Sequence, residues 1–171
     1  MKIMLVRHGQ GDEKRLTRLG KNQAKNVVSD LEYEDITQIY SSPIPRALQT
    51  AQIIAKKLHL PVIVDDRLTE REKLSPDMTE EEQMLYNENY LNPNFSMKNP
   101  EGCKEYIERI YSFLDEKIKK SNAEDNILIV GHSSMSYILA SYFFGIKKNK
   151  PLVWTRLGNC SKLCFEYNKK S

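Results

Sequence analysis

An apolar strand that runs straight into charged and ionisable side chains is the feature that most constrains this fold. Ile3-Met4-Leu5-Val6 suits a strand buried on both faces of a sheet, and Arg7-His8-Gly9 follows it directly. A cation and an imidazole at the end of a buried strand cost free energy unless an anion satisfies them. The same pattern returns at residues 127–130, which are followed by Gly131-His132-Ser133-Ser134. These two segments predict buried strands whose carboxyl ends present histidines to an anion such as phosphate.

Segments with strand and helix patterns alternate along the chain, which indicates a mostly parallel sheet covered by helices on both faces. The predicted strands are residues 2–6, 36–40, 61–64, 127–130 and, as an antiparallel edge strand, 161–167. The predicted helices are residues 17–31, 45–58, 79–90, a segment after Pro100 that includes 107–118, and 134–144. The fold class is therefore α/β, with one three-layer domain over residues 1–171 and a loop-and-helix insertion at about 71–101.

The first predicted helix illustrates how its boundaries and buried face are inferred. Thr17 is a favourable amino-terminal cap, because its hydroxyl can accept a hydrogen bond from a free backbone N–H. We expect this helix to bury Leu19, Ala24, Val27, Val28 and Leu31 on one face. In folds of this kind ligands bind beyond the carboxyl ends of the strands, where His8 and His132 are predicted to lie.

Composition excludes several classes of partner. The net charge is +3, with Lys and Arg scattered among Asp and Glu, so we expect no nucleic-acid binding. No apolar run is long enough to span a bilayer, and the first is too short for a signal peptide, so we expect no membrane association. Cys103, Cys160 and Cys164 lack metal or redox spacing, which predicts reduced thiols in a cytoplasmic protein.

Four side chains supply the parts that hydrolysis of a phosphate monoester requires. Arg7 and Arg46 can each meet two phosphate oxygens with a planar guanidinium group, and Arg46 lies in the first turn of a helix whose free N–H groups favour an anion. A neutral imidazole such as His8 can attack phosphorus, and the resulting phosphoramidate can be hydrolysed by water. His132 precedes a second helix start. Neither histidine has a carboxylate or cysteine at ligand spacing, so we expect no metal and no other cofactor.

The ordered motifs of this chain resemble the histidine phosphatase (phosphoglycerate mutase-like) superfamily. The resemblance rests on six groups of residues in the family's order: Arg7-His8-Gly9; Leu16-Thr17 with Gly20 and Gln23-Ala24; Ser41-Ser42-Pro43 with Arg46-Ala47; Gln49-Thr50-Ala51; Leu68 with Glu70; and Gly131-His132-Ser133. It implies that His8 is the nucleophile, that Arg7, Arg46 and His132 bind the phosphoryl group, and that Glu70 is the general acid. Gln10 and Ser133 are predicted to assist phosphate binding, and His132 to take part in catalysis.

Departures from the family pattern keep alternatives open. The loop before Leu16 is shorter than in the mutases, and residues 73–76 replace the usual glycines and Trp-Glu-Gly. We therefore favour a phosphatase, with phosphoglycerate-mutase-type transfer or non-catalytic binding of a phosphorylated ligand as alternatives. Glu72 and Asp12 compete with Glu70 as the acid. The expected substrate is a phosphorylated small molecule or a phosphoprotein, and the sequence does not determine the oligomeric state.

Overall fold

The computed structural model describes residues 1–12, 14–71, 77–95, 101–150 and 155–168. Within these ranges the strands are β1 (Lys2–Arg7), β2 (Gln38–Ser41), β3 (Val62–Val64), β4 (Asn126–Gly131) and β5 (Lys162–Glu166). The helices are α1 (Arg18–Leu31), α2 (Pro45–Leu58), α3 (Glu80–Glu88), α4 (Cys103–Lys120) and α5 (Ser133–Phe143), and a 3₁₀ turn spans Asp66–Leu68. Within the described ranges, no helix combines the length and the apolar character needed to cross a membrane.

The five strands form one sheet in the order β3-β2-β4-β1-β5. Strands β3, β2, β4 and β1 pair in parallel with one another, whereas β5 runs antiparallel to β1 at one edge. The predicted fold class is confirmed, including its antiparallel edge strand. Because β1 and β4 lie side by side in the middle of the sheet, the residues that follow them meet at one place on its carboxyl edge.

Alternate residues of the central strands bury against two separate helical layers. Met4 and Val6 of β1 pack with helices α1 and α2 on one face. Ile3 and Leu5 pack with helices α4 and α5 on the other face. Both faces of β1 are therefore covered, as its continuous apolar run predicts.

Helix α1 confirms one expectation and corrects another. The Thr17 hydroxyl accepts a hydrogen bond from the Gly20 N–H at 3.0 Å, so Thr17 is the predicted cap. Leu19, however, is 53% exposed, so its predicted place on the buried face is wrong. Leu19 precedes the buried Val28 by nine residues, which is about two and a half helical turns and places it on the opposite side.

Candidate active site

The two histidines meet because β1 and β4 pair in register. The pairing runs from Lys2 opposite Asn126 to Arg7 opposite Gly131, so His8 and His132 are the next residues on adjacent strands. The His8 N–H donates to the Gly131 carbonyl at 2.9 Å. The two imidazole rings lie edge to face with their centroids 5.3 Å apart. The structure therefore brings together the two strand ends that the sequence singled out.

Hydrogen bonds to both ring nitrogens set the tautomer of His8. Its Nδ1 lies 2.7 Å from the Gly9 carbonyl oxygen, which can only accept, so Nδ1 has the proton. The Arg46 Nε–H donates to Nε2 at 3.0 Å, which requires a lone pair on Nε2. His8 is 6% exposed, and its burial lowers its pKa to about 4. The ring is therefore neutral near neutral pH, with its free lone pair on the side of Arg46.

The backbone around His8 is held by close contacts on both sides. The Gly9 N–H donates to the Thr50 hydroxyl at 3.1 Å, and the Asn159 side-chain amide donates to the His8 carbonyl at 2.9 Å. A Cβ on Gly9 would lie 2.4 Å from the Gly20 carbonyl oxygen, so only glycine allows this loop to approach α1 so closely. These contacts fix the position of the His8 backbone at the end of β1 and therefore the position of its ring.

Two guanidinium groups, those of Arg7 and Arg46, lie near His8 and form no ion pair with a carboxylate of the described residues. Arg46 is 8% exposed, and none of the ion pairs found within the described residues includes Arg7 or Arg46. Arg7 donates from Nη1 to the Leu157 carbonyl at 2.8 Å, while its buried Nε has no hydrogen-bond partner within the described part of the chain. Burial, then the charge of Arg156, lowers the pKa of Arg7. The site is therefore electropositive, as binding of a phosphate would require.

His132 is fully buried between the His8 ring and the Glu70 carboxyl group. Its Nε2 lies 2.8 Å from the Ser42 hydroxyl, and its Nδ1 lies 3.4 Å from Glu70 Oε2. Burial is the main cause that lowers its pKa, to about 2, and the neighbouring His8 and arginine charges add to the effect. His132 is thus a neutral imidazole, able to donate or accept a hydrogen bond but not to hold a charge.

The carboxyl group of Glu70 reaches the same site from the segment after the 3₁₀ turn. Its Oε1 accepts hydrogen bonds from the Ser134 hydroxyl and, at 3.2 Å, from the Arg71 N–H. Burial raises the pKa of Glu70, which favours the protonated acid. The Arg71 guanidinium group lies 4.8 Å from the ring centroids of both Tyr86 and Tyr90, which holds the backbone next to Glu70 in place.

The next residues to locate are those that compete with Glu70 as the acid and those predicted to assist phosphate binding. The Asp12 carboxylate is exposed and accepts from the backbone N–H groups of Lys14 and Arg15, while Glu72 and the altered residues 73–76 lie outside the described residues. Gln10 is exposed, with its Oε1 accepting from the Thr17 hydroxyl and its N–H donating to Gln23.

Ser133 is the second residue predicted to assist phosphate binding. Its hydroxyl donates to the Leu157 carbonyl at 3.4 Å, the same carbonyl that accepts from Arg7. Within the described residues, the hydrogen bonds of the Gln10 and Ser133 side chains therefore do not include either histidine ring. Across the described ranges, no three His, Cys, Asp or Glu side chains are grouped so that they could hold a metal ion.

Sequence reasoning missed two side chains that contact or support the Glu70 carboxyl group. The sequence places Ser134 only at a helix start, and in the helix after Pro100 it does not single out Tyr106. Both are buried, and their hydroxyl oxygens lie 2.6 Å apart. The pair of serines after His132 was the one available signal for Ser134; no pattern in the sequence distinguishes Tyr106 from other buried aromatic residues.

Comparison with known proteins identifies the family and the fold of the chain. Residues 3–171 match the family model described as the histidine phosphatase superfamily, branch 1. A 2,3-bisphosphoglycerate-dependent phosphoglycerate mutase of Thermoplasma acidophilum is 41% identical over 83 residues, and this match covers 41% of the present chain and 42% of the mutase. Phosphoserine phosphatase 1 of Hydrogenobacter thermophilus is 26% identical over 168 residues, covering 88% of this chain and 79% of that enzyme.

A solved structure shows the same fold. The mycobacterial glucosyl-3-phosphoglycerate phosphatase superposes with a TM-score of 0.81 at 19% identity, covering 95% of this chain and 88% of that one. At this level of identity the likeness concerns the fold.

Proposed function

The chain belongs to the histidine phosphatase superfamily, branch 1, and from that premise we propose that it hydrolyses phosphate monoesters through a phosphohistidine on His8. The observation on which the proposal rests is the His8 ring, neutral and oriented with the Nε2 lone pair beside Arg46. A nucleophile of this kind needs no proton removed before it attacks. The neighbouring guanidinium groups offer donors to the charge on the phosphoryl oxygens.

In the first step, the phosphate oxygens replace His8 as acceptors for Arg46 and engage Arg7, because charged oxygens are stronger acceptors for a guanidinium group. The Nε2 lone pair forms a bond to phosphorus while the bond to the leaving oxygen breaks. The protonated Glu70 gives its proton to that oxygen, so an alcohol departs. His132 offers a neutral ring nitrogen close to both groups.

In the second step, water takes the place of the alcohol. The Glu70 carboxylate accepts a proton from water as its oxygen attacks phosphorus, and the bond between phosphorus and Nε2 breaks. Inorganic phosphate leaves, while His8 regains its lone pair and Glu70 its proton. Atoms and charges balance over the two steps with water as the only further reactant.

Two alternatives are weighed against this proposal. Phosphoglycerate-mutase-type transfer is supported by the mutase relative, but the short loop before Leu16 gives little chain to retain a phosphorylated intermediate. Non-catalytic binding would need no acid, whereas Glu70 lies beside His132 with a raised pKa. Both observations favour hydrolysis.

We further propose that the substrate is a phosphorylated small molecule, since the similar proteins include enzymes named for phosphoserine and glucosyl-3-phosphoglycerate. A phosphoprotein is the alternative. Comparing kcat/KM for phosphoserine, phosphoglycerates and a phosphohistidine protein distinguishes the two. A cytoplasmic location is proposed as well, supported by the unpaired thiols of Cys103, Cys160 and Cys164.

The intermediate itself can be tested by trapping. We expect that turnover of a radiolabelled aryl phosphate, stopped in alkaline denaturant to protect the phosphoramidate, leaves label on a peptide that contains His8. His8→Ala should abolish both the label and turnover, a loss on the order of 10⁴-fold or more.

His59→Asn is the matched control. His59 ends α2 with a φ of 54°, a conformation that asparagine tolerates, so this variant should label like the wild type. Turnover without any label on His8 would contradict the mechanism.

A further inference from the structure

Two hydroxyl groups beyond the phosphate pocket form a hydrogen-bonded chain that ends on Glu70. The hydroxyl oxygens of Tyr106 and Ser134 lie 2.6 Å apart, and the Ser134 hydroxyl contacts Glu70 Oε1. The same carboxyl oxygen accepts the Arg71 N–H at 3.2 Å. Two donors therefore converge on Oε1, while Oε2 lies 3.4 Å from His132 Nδ1.

The number of protons available decides which groups donate and which accept in this series of hydrogen bonds. Tyr106 is 2% exposed, and the Ser134 oxygen is the acceptor that the described residues provide for its hydroxyl. A buried tyrosine hydroxyl without an acceptor is costly, so Tyr106 donates to Ser134. Ser134 has one proton, which then points to Glu70 Oε1.

We propose that Ser134, oriented by Tyr106, is a positioning residue that keeps Glu70 Oε1 as an acceptor and so confines the transferable proton to Oε2. This inference rests on the proposed function, because it concerns the acid of that reaction. Oε2 is the oxygen next to His132, whose ring contacts that of His8, and thus the one on the phosphate side of the carboxyl group. Ser134 and Tyr106 keep their own protons throughout, so no relay through them is required.

The same arrangement serves the second step. When Glu70 has given up its proton, the Ser134 O–H and Arg71 N–H bonds stabilise the carboxylate through Oε1. Oε2 is then free to accept a proton from water. One fixed oxygen and one reactive oxygen thus allow the carboxyl group to alternate between acid and base without rotating.

Several other charged or titratable groups face Glu70, and they must remain constant in a test. They are Arg7 and Arg46 from the phosphate pocket, His132, Tyr86 of α3 and Tyr90 after that helix, and Tyr106 with Arg109 from α4. Removing the Ser134 hydroxyl leaves all of them in place and removes one donor to the carboxylate. We therefore expect the pKa of Glu70 to rise in Ser134→Ala, since a hydrogen bond to the charged form is lost.

The test compares an alkyl phosphate, which needs acid assistance, with an activated aryl phosphate, which needs little. In Ser134→Ala we expect kcat/KM to fall by about 10- to 100-fold for the alkyl phosphate and by less than about 3-fold for the aryl phosphate. The basic limb of its pH profile should move to higher pH. Ser134→Thr, which restores a hydroxyl, should recover most of the loss.

Tyr106→Phe provides a second variant that keeps the buried ring. It should lower kcat/KM for the alkyl phosphate by roughly 3- to 10-fold, because Ser134 remains but is free to rotate. The matched controls are Tyr111→Phe, from the same helix α4, and Ser141→Ala, from the same helix α5 two turns beyond Ser134. Both should keep the leaving-group dependence and pH profile of the wild type.

The outcomes separate cleanly. Equal losses for both substrates, with an unchanged pH profile, would reduce Ser134 to a structural residue and overturn the inference. If Ser134→Ala does not fold, Tyr106→Phe becomes the deciding variant. A Tyr106→Phe protein whose kcat/KM depends on the leaving group as in the wild type would then overturn the inference. A wild-type protein without phosphatase activity would contradict the proposed function instead.

Discussion

The two halves of the site are built by different parts of the fold. The half proposed to hold the phosphate consists of His8 and His132 at the ends of adjacent strands, with Arg46 in the first turn of α2. The half proposed to face the leaving group consists of Glu70 after a 3₁₀ turn and of Ser134 and Tyr106 on two helices. The first half follows from strand pairing, whereas the second exists only through side-chain contacts between α4, α5 and a loop.

This difference in construction implies a difference in chemistry. Groups that hold the phosphoryl oxygens contribute to the transition state whatever alcohol departs. The acid contributes in proportion to the basicity of the leaving oxygen. Variants of the two halves should therefore respond differently to the same change of substrate.

The largest effect expected in this comparison is that of Glu70→Gln on alkyl phosphates. Losing the acid should lower kcat by on the order of 10²–10⁴-fold with an alkyl phosphate and much less with an activated aryl phosphate. Steady-state kinetics on both substrates measure this. Glu124→Gln, an exposed carboxylate before the amino end of β4, is the control. An equal loss on both substrates would mean that Glu70 is not the acid.

Arg46→Ala should cost about 10²–10³-fold in kcat/KM, and to the same extent for both substrates, because its guanidinium group is proposed to bind the phosphoryl oxygens. Arg46→Lys should recover only part, since an ammonium group lacks the two-pronged geometry. Lys56→Ala, near the other end of α2, is the control. A loss of kcat/KM confined to alkyl phosphates would contradict the assignment of Arg46 to the half proposed to hold the phosphate.

The smallest effect is the pH dependence, and it distinguishes the halves within the unaltered protein. Below about pH 4 His8 becomes protonated and loses its lone pair, so activity should fall. As pH rises through the raised pKa of Glu70, the acid is lost and kcat/KM for an alkyl phosphate should fall by about tenfold per pH unit. Activity towards an alkyl phosphate should therefore be highest between the pKa of His8 and the raised pKa of Glu70.

Ionisation of the substrate affects the pH profiles of the wild type and of Glu70→Gln alike. A comparison of the two profiles on the same substrate therefore isolates the contribution of Glu70. The basic limb should be absent from the variant, and the acid limb should remain. A basic limb that persists in Glu70→Gln would contradict its assignment.

Some of this arrangement could be inferred before any coordinates. The apolar runs before His8 and His132 predicted buried strands, and the sheet confirms them, because continuous burial on both faces leaves a distinctive pattern. Leu19 shows the limit of such patterns, since an apolar residue near a helix end was assigned to the wrong face. Tyr106 shows a second limit, because the sequence does not reveal whether the hydroxyl of a buried tyrosine is hydrogen-bonded to a residue of the site.

The sequence by itself determined which strands are buried and which residues end them, because hydrophobic periodicity and strand ends are local properties of the chain. The identity of the chemistry at those ends followed from the residue types. Only the tertiary structure decided which Glu70 oxygen receives the Ser134 proton and that His8 has its lone pair on Nε2. It also decided that the Arg7 Nε lacks a hydrogen-bond partner among the residues that the structure describes. Such details depend on distances between side chains that are far apart in sequence, and no local pattern encodes them.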